Sequence, residues 1–104
     1  MIENNEENRQ KLEKQICQAL TNACEAAKPE VQGFQWLTHR VNYNQFPDSL
    51  SVICFFDTKA NLKQAREHNK DQFMVALIKS ELEQINIRFK DIKRHVSFDT
   101  EKVD

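Results

Sequence analysis

The fold is decided by one apolar run in the middle of the chain, Leu50-Ser51-Val52-Ile53-Cys54-Phe55-Phe56. Ser51 is its only polar member, and the β-branched and aromatic residues around it favour a strand. A run that is apolar at successive positions is typical of a strand buried on both faces. We therefore predict that residues 50–56 form the central strand of a sheet, covered on both sides.

The residues before this run predict an antiparallel neighbour. Residues 33–43 alternate between apolar and polar with a period of two, and the apolar phase shifts once, near Trp36 and Leu37, as it does at a β-bulge. Residues 44–49 contain Pro47 and Asp48, which favour a turn. Together the two strands and this loop predict a β-hairpin.

A long helix is predicted at the start of the chain. Between residues 8 and 28 apolar residues recur at steps of three and four, which draws one stripe along a helix: Leu12, Ile16, Leu20, Ala23 and Ala27. Pro29 ends this helix. Its other faces are charged or rich in amides, so we expect it to pack on one side only.

A second helical region follows the central strand. Asp57 and Thr58 are candidate N-caps, and Asn86 is a residue suited to the left-handed conformation that ends many helices. Asn69 and Gln72 have the spacing of a capping box, which predicts that the helix stops and restarts there. The apolar stripe of the later part is Met74, Ile78, Leu82 and Ile85.

The remaining residues predict one more strand and complete the fold. Apolar and polar residues alternate over 87–90 and again over 95–99, with an interruption over 91–93. The order α-β-β-α(α)-β, with about three strands and helices on one face, predicts an α+β two-layer sandwich. We expect a single domain over residues 1–104, in which residues 1–7 and 100–104 are frayed.

The composition excludes several classes of protein. The 104 residues include one glycine and two prolines, too few for glycine-rich nucleotide loops or the GxxG clamp of KH domains. The formal net charge of -1 provides no global field that attracts nucleic acid or a membrane. The sequence has no apolar window of about 18 residues and no signal peptide. We therefore expect a cytoplasmic protein without a membrane partner.

Three cysteines, Cys17, Cys24 and Cys54, are interpreted as small buried hydrophobic residues in a reducing compartment. Cys17 and Cys24 lie about 10 Å apart along one predicted helix, which is beyond the reach of a disulfide. The paired spacings of zinc sites, such as CxxC or HxxxH, do not occur. We therefore expect no metal site and no cofactor.

The first hairpin carries the densest mixture of polar and aromatic side chains. A histidine beside a tyrosine and an arginine can bind an anion or transfer a proton, which makes a candidate binding surface of Trp36, His39, Arg40 and Tyr43. The alternative interpretation is a half-exposed strand whose histidine is hydrogen-bonded at the sheet edge. No nucleophile with a paired base is visible in the sequence.

A second candidate surface lies in residues 88–95, where four basic residues accompany one acidic residue, Asp91. A basic strand of this kind can contact phosphates, and its candidate residues are Arg88, Lys90, Arg94 and His95. The alternative is a solvated strand face whose charges discourage edge-to-edge pairing.

Five short stretches are distinctive: Trp36-Leu37-Thr38-His39, Val41-Asn42-Tyr43, Phe46-Pro47-Asp48-Ser49-Leu50, Phe56-Asp57-Thr58 and Arg94-His95-Val96-Ser97-Phe98-Asp99. Together they resemble a family of small bacterial proteins of unassigned function, sometimes labelled Fis-family transcriptional regulators. The resemblance spans most of the chain and implies no particular chemistry. Fis proteins themselves bind DNA through a helix-turn-helix at the carboxyl end, where this chain predicts a strand, so no DNA-contact residue carries over.

These features predict a non-enzymatic cytoplasmic binding or adaptor domain, which forms a homodimer or docks a protein through the first hairpin and the last strand. The alternative is a protein that associates with nucleic acid or the ribosome through the basic strand. A third hypothesis, an enzyme acting on a small molecule, requires His39, Tyr43 and His95 to meet in one pocket.

Overall fold

The computed structural model describes residues 5–101. Within them the elements follow in the order α-β-β-α-α-β: α1 (Asn5–Ala27), β1 (Phe34–Arg40), β2 (Ser51–Phe56), α2 (Lys59–Glu67), α3 (Lys70–Gln84) and β3 (Val96–Thr100). Two short 3-10 helices, Tyr43–Gln45 and Ile92–His95, lie in the loops before β2 and β3. The predicted α+β class and element order are therefore confirmed.

The sheet has three strands, with β2 in the middle. β1 pairs with β2 in antiparallel register and β3 pairs with β2 in parallel register. This confirms both the predicted hairpin and the central position of the apolar run. The parallel connection to β3 runs through α2 and α3, as expected because parallel strands need a long crossover.

A β-bulge lies in β1 between Phe34 and Trp36, slightly earlier than the sequence predicted. Phe34 pairs with Phe56, whereas Trp36 pairs with the preceding residue, Phe55. Residues two apart in a regular strand share a face, but an extra residue at a bulge reverses this. Phe34 is consequently buried, while Trp36 is exposed on the opposite face.

The core lies on one face of the sheet. Val52, Cys54 and Phe56 are buried there, in one cluster with apolar residues from all three helices. Ile53 and Phe55, on the other face, are only half-buried. The prediction that β2 is covered on both faces is therefore wrong: all three helices pack on the same side, which makes the domain a two-layer sandwich.

The boundary between α2 and α3 falls where the sequence predicted, but for a different reason. Thr58 caps α2, because its Oγ1 accepts a hydrogen bond from the Asn61 backbone N–H at 3.1 Å. Asn69, between the helices, has φ 60° and makes no side-chain cap hydrogen bond. A capping side chain requires an extended backbone, so the predicted capping box is wrong and the left-handed turn at Asn69 separates the helices instead.

The segment 87–90 is not a strand, which corrects the predicted last strand and its basic face. The Ile87 N–H donates to the Leu82 carbonyl at 3.0 Å and the Asn86 N–H donates to the Glu83 carbonyl at 3.0 Å. These bonds, with φ 66° at Asn86, form a Schellman motif that closes α3. Ile87 is drawn into the core by this turn, so the basic residues that follow lie on a loop and a 3-10 helix.

Secondary structure reaches into both of the end segments, 1–7 and 100–104. α1 begins at Asn5, inside the segment 1–7. Thr100 pairs with Phe56 in the sheet, and the Glu101 N–H donates to the Phe56 carbonyl at 2.9 Å. The frayed ends stay a prediction. The predictions for residues 1–4 and 102–104 lie outside the described residues.

Gly33 joins α1 to β1 in close contact with α2. Its φ of 86° lies in the left-handed region, and a Cβ placed on it would lie 2.5 Å from the Asn61 Cβ. Its carbonyl accepts a hydrogen bond from the Asp57 N–H at 2.9 Å. The single glycine of the chain therefore stands where both the backbone and the space exclude a side chain.

Among residues 5–101, no helix is both long enough and apolar enough to cross a membrane.

Candidate functional site

The candidate residues fall into three separate places in the fold. The first is the sheet face that points away from the helices, which we call the open face. The register of the strands places on it eight residues from all three strands: Trp36, Thr38, Arg40, Ser51, Ile53, Phe55, Ser97 and Asp99. None of these eight is buried. Two of the predicted surface residues, Trp36 and Arg40, belong to it.

The open face has an aromatic and acidic end. The Trp36 ring stacks on Phe55, with ring centroids 4.3 Å apart and an interplanar angle of 17°. The indole Nε1–H donates to Glu101 Oε1 at 2.5 Å, and Asp99 lies beside Phe55 in the register. Trp36 still exposes 43% of its surface. Arg40 lies at the other end of β1, so a cation and a group of carboxylates occupy opposite ends of the same face.

The second place is a polar cluster between α1 and the hairpin, centred on Glu13. His39 pairs with Val52 and therefore points toward the helices, where its Nε2 lies 3.1 Å from Glu13 Oε2. The Cys17 Sγ lies 3.4 Å from the same oxygen. The Tyr43 hydroxyl donates to the other carboxylate oxygen, Oε1. The cluster thus joins α1 to β1 and to the 3-10 helix that follows it.

The electrostatics of the cluster favour a charged Glu13 and protonated Tyr43 and Cys17 side chains. The hydrogen bond from Tyr43 is the main cause that lowers the pKa of Glu13. Desolvation and the hydrogen bond to Glu13 raise the pKa of Tyr43, and the same two causes raise the pKa of the Cys17 thiol. A catalytic cysteine needs a lowered pKa, so this environment does not activate Cys17 as a nucleophile.

Sequence reasoning missed Glu13 and Cys17, and the structure corrects the interpretation of the cysteines as buried. Cys54 is buried and Cys24 is half-buried, but Cys17 is exposed. The available signal was the four-residue spacing of Glu13 and Cys17, which puts both side chains on one face of a helix. That spacing alone does not show that the face is covered by His39.

The third place is a basic groove of about 640 Å3 between the hairpin loop and the segment before β3. The four predicted residues Arg88, Lys90, Arg94 and His95 all line it. The His95 ring stacks on Phe89 with centroids 3.9 Å apart, and its Nδ1 lies 2.8 Å from the Leu50 carbonyl oxygen. The predicted basic surface is therefore assembled, although on a loop and not on a strand.

The charge of this groove is smaller than the sequence suggested. Three cations line it together with two carboxylates, Asp48 and Asp91, which leaves a net charge of +1 with His95 neutral. Lys93 lines a different cavity, beside Asp71. The local surplus of basic residues in the sequence is thus partly neutralised by the loop that folds against it.

The structure does not bring His39, Tyr43 and His95 into one pocket. His39 and Tyr43 contact Glu13, whereas His95 lines the basic groove. The geometry that the enzyme hypothesis requires is therefore not present among the described residues.

Comparison of the chain with family models, with curated proteins and with solved structures found no match. The resemblance to the Fis-labelled bacterial family stays a prediction.

Proposed function

We propose that this chain is a non-enzymatic binding domain that pairs with a second copy of itself through the open face of its sheet. The observation that carries the proposal is the apolar content of that face. Trp36, Ile53 and Phe55 lie on the side of the sheet that the helices leave uncovered. Exposed aromatic groups rimmed by polar residues mark interaction surfaces in many proteins.

The distribution of charge supports a second copy as the partner. Arg40 lies at one end of the open face, and Asp99 and Glu101 lie at the other. Suppose that two copies stack with their open faces together. A twofold axis that runs between the two faces, perpendicular to the strands, then places each end of one face against the opposite end of the other. Arg40 of each copy then meets the carboxylates and Trp36 of the other, and Ile53 lies near the axis. The same surface is thereby self-complementary, as an isologous dimer requires.

The size of the face predicts a weak association. The face is three strands wide, at about 4.8 Å per strand, and about five residues long, at about 3.3 Å per residue. These dimensions give an area of roughly 240 Å2. Stable complexes bury about 800 Å2 on each partner. We therefore expect a weak dimer that forms at high micromolar to millimolar concentrations, with Trp36 supplying much of the binding energy because tryptophan is enriched among such dominant residues.

Sedimentation velocity over a concentration series tests this function. The wild-type chain should approach twice the monomer mass at high concentration. Trp36→Ser should raise the dissociation constant at least about tenfold. Phe73→Ser is a matched control, because Phe73 is similarly exposed but lies on α3, and it should have no effect. A wild-type chain that stays monomeric at millimolar concentration would refute self-association.

A second function, binding of a phosphate-bearing ligand such as RNA, is favoured by one observation. Arg88, Lys90 and Arg94 line a single groove in which the Phe89 and His95 rings are stacked. Proteins that bind a nucleic-acid duplex tightly contact about six to ten phosphates. Three cations beside two carboxylates suit one or two phosphates, so a short single strand fits this groove better than a duplex. Retention on immobilised RNA at low salt, and its loss as salt rises, tests this alternative.

The thiols support an intracellular, reducing location. All three cysteines are free, and burial raises the pKa of the Cys54 thiol to about 12. Free thiols persist where glutathione and thioredoxin keep them reduced. We therefore place the domain in the cytoplasm as part of this proposal.

A further inference from the structure

We propose that Glu13, Cys17 and His39 form a binding site for a single zinc ion. The three side chains offer one oxygen, one sulfur and one nitrogen atom, and these atoms lie within 4.8 Å of one another. This mixture differs from an acidic cluster, because it contains one ligand of each type that zinc takes in proteins. The site is independent of the open face and of the basic groove.

The separations of the ligand atoms fit tetrahedral coordination. Zinc lies about 2.0 to 2.3 Å from its oxygen, nitrogen and sulfur ligands, so neighbouring ligands in a tetrahedron are about 3.3 to 3.6 Å apart. Glu13 Oε2 lies 3.1 Å from His39 Nε2 and 3.4 Å from Cys17 Sγ. The edge between Glu13 and Cys17 thus has the required length, the edge between Glu13 and His39 is slightly short, and the edge between Cys17 and His39 lies within 4.8 Å, so small side-chain rotations are needed to close the site.

The elements that carry the ligands hold them in place. Glu13 and Cys17 are one turn apart on α1, and His39 comes from β1, which is fixed by its register with β2. The Tyr43 hydroxyl donates to Glu13 Oε1, which orients the carboxylate and leaves Oε2 directed at the other two ligands. Such hydrogen bonds to the ligands accompany most metal sites in proteins.

The ligand types select the metal. A thiolate and an imidazole favour zinc and similar transition metals over magnesium or calcium, which prefer sites made of oxygen atoms only. Cys17 is exposed, so one side of the cluster is open to solvent and a water molecule can complete the tetrahedron. We infer a site of three protein ligands and one exchangeable ligand.

Zinc binding here requires the loss of one proton. The metal binds a thiolate, so the Cys17 S–H bond breaks, its proton goes to solvent, and a bond from Sγ to zinc forms without any change in oxidation state. The His39 Nε2 that lies 3.1 Å from Glu13 Oε2 must also be free of a proton, so the neutral ring binds in the tautomer that carries its one N–H proton on Nδ1. Affinity should therefore rise with pH and one proton should be released for each zinc bound.

Titration with Co²⁺, a spectroscopic substitute for zinc, tests the site. The wild-type chain should bind one Co²⁺ per chain and show the near-ultraviolet charge-transfer band of a thiolate bound to cobalt, which zinc then displaces. Cys17→Ser should remove this band and weaken binding about a hundredfold. Cys24→Ser is the matched control, because Cys24 lies on the same helix outside the cluster, and it should behave as wild type.

A second variant, Glu13→Gln, tests the oxygen ligand while keeping the size of the side chain. It should keep the charge-transfer band and lower cobalt affinity at least about tenfold, and circular dichroism confirms that each variant folds. The absence of a charge-transfer band in the wild-type chain would overturn the proposal. So would unchanged binding by Cys17→Ser, or a stoichiometry of one metal per two chains, which would indicate adventitious bridging.

Discussion

Trp36 lies on the opposite face of the sheet from Phe34, although the two residues are separated by a single position in β1. The β-bulge between them is the cause, because the extra residue reverses the alternation of the strand. In a regular strand Trp36 would enter the core beside Phe34. The bulge instead stacks it on Phe55 in the open face, where it exposes 43% of its surface. One inserted residue thus moves Trp36 from a core position to the open face.

Reversal of charge at the two ends of the open face should first weaken and then restore the dimer. Arg40→Glu replaces two attractions between copies by two repulsions, which should raise the dissociation constant about tenfold, since exposed ion pairs contribute up to about 1 kcal/mol each. Adding Glu101→Arg restores opposite charges and should recover most of the loss. Sedimentation velocity measures both variants. If the single and the double variant associate equally well, the proposed twofold arrangement, in which opposite ends of the two open faces meet, is incorrect.

Gly33→Ala should destabilise the fold by about 2 to 4 kcal/mol. The substitution forces a side chain into the left-handed region and brings its Cβ within 2.5 Å of the Asn61 Cβ. Urea unfolding followed by circular dichroism measures the loss. Gln32→Ala, at the exposed neighbouring position, is the control and should change stability by less than about 0.5 kcal/mol. A similar stability for Gly33→Ala and wild type would contradict the described turn.

The cluster around Glu13 should contribute stability that depends on pH. The pKa of Glu13 is lowered in the folded chain, with Tyr43 as the main cause. The contribution is therefore present above the ordinary carboxyl pKa and is lost as pH falls through the lowered pKa. Tyr43→Phe should reduce the free energy of unfolding by about 1 kcal/mol near neutral pH, a modest value because Glu13 is partly exposed.

Urea unfolding between about pH 7 and about pH 2 checks this dependence. The difference between Tyr43→Phe and wild type should shrink toward the acid end of the series. Glu25→Gln, which alters an exposed carboxylate elsewhere on α1, is the control and should change stability by less than about 0.5 kcal/mol. A difference that stays constant across the series would mean that Tyr43 acts through packing and not through its hydrogen bond to Glu13.

Arg94→Ala tests the basic groove. If this groove binds RNA, the variant should bind a short single strand more weakly and reduce the slope of log affinity against log salt by about one unit, because one phosphate contact is lost. Fluorescence anisotropy with a labelled oligonucleotide measures both quantities. Lys93→Ala is the control, because Lys93 lines a different cavity. Equal effects of the two substitutions would indicate a diffuse attraction and no defined site.

The sequence allowed the helices, the hairpin and the central strand to be predicted, because their apolar periodicity is local. The prediction was wrong where a turn, which depends on contacts outside the segment, set the conformation of a stretch with a strand-like pattern. Residues 87–90 alternate as a strand does, yet the Schellman motif at Asn86 draws Ile87 into the core. The unbroken run of β2 likewise suggested burial on two faces, whereas Ile53 and Phe55 belong to the open face.

The two side-chain clusters differ in how far apart their residues lie in the sequence. Four predicted residues do meet in the basic groove, because they are close in sequence. The partnership of His39 with Glu13 and Cys17 requires the strand register and the position of α1 together. The residues of this cluster are far apart in the sequence. The spacing of Glu13 and Cys17 therefore indicates a site only once the strand that faces them is known.

The emission spectrum of Trp36 over a concentration series tests the central claim most directly, because Trp36 is the single tryptophan of the chain and lies in the proposed interface. If two open faces meet, the emission should move to shorter wavelength as protein concentration rises, with the same midpoint as the increase in mass measured by sedimentation. A mass that doubles while the Trp36 spectrum stays constant would show that the copies meet elsewhere and would contradict the account.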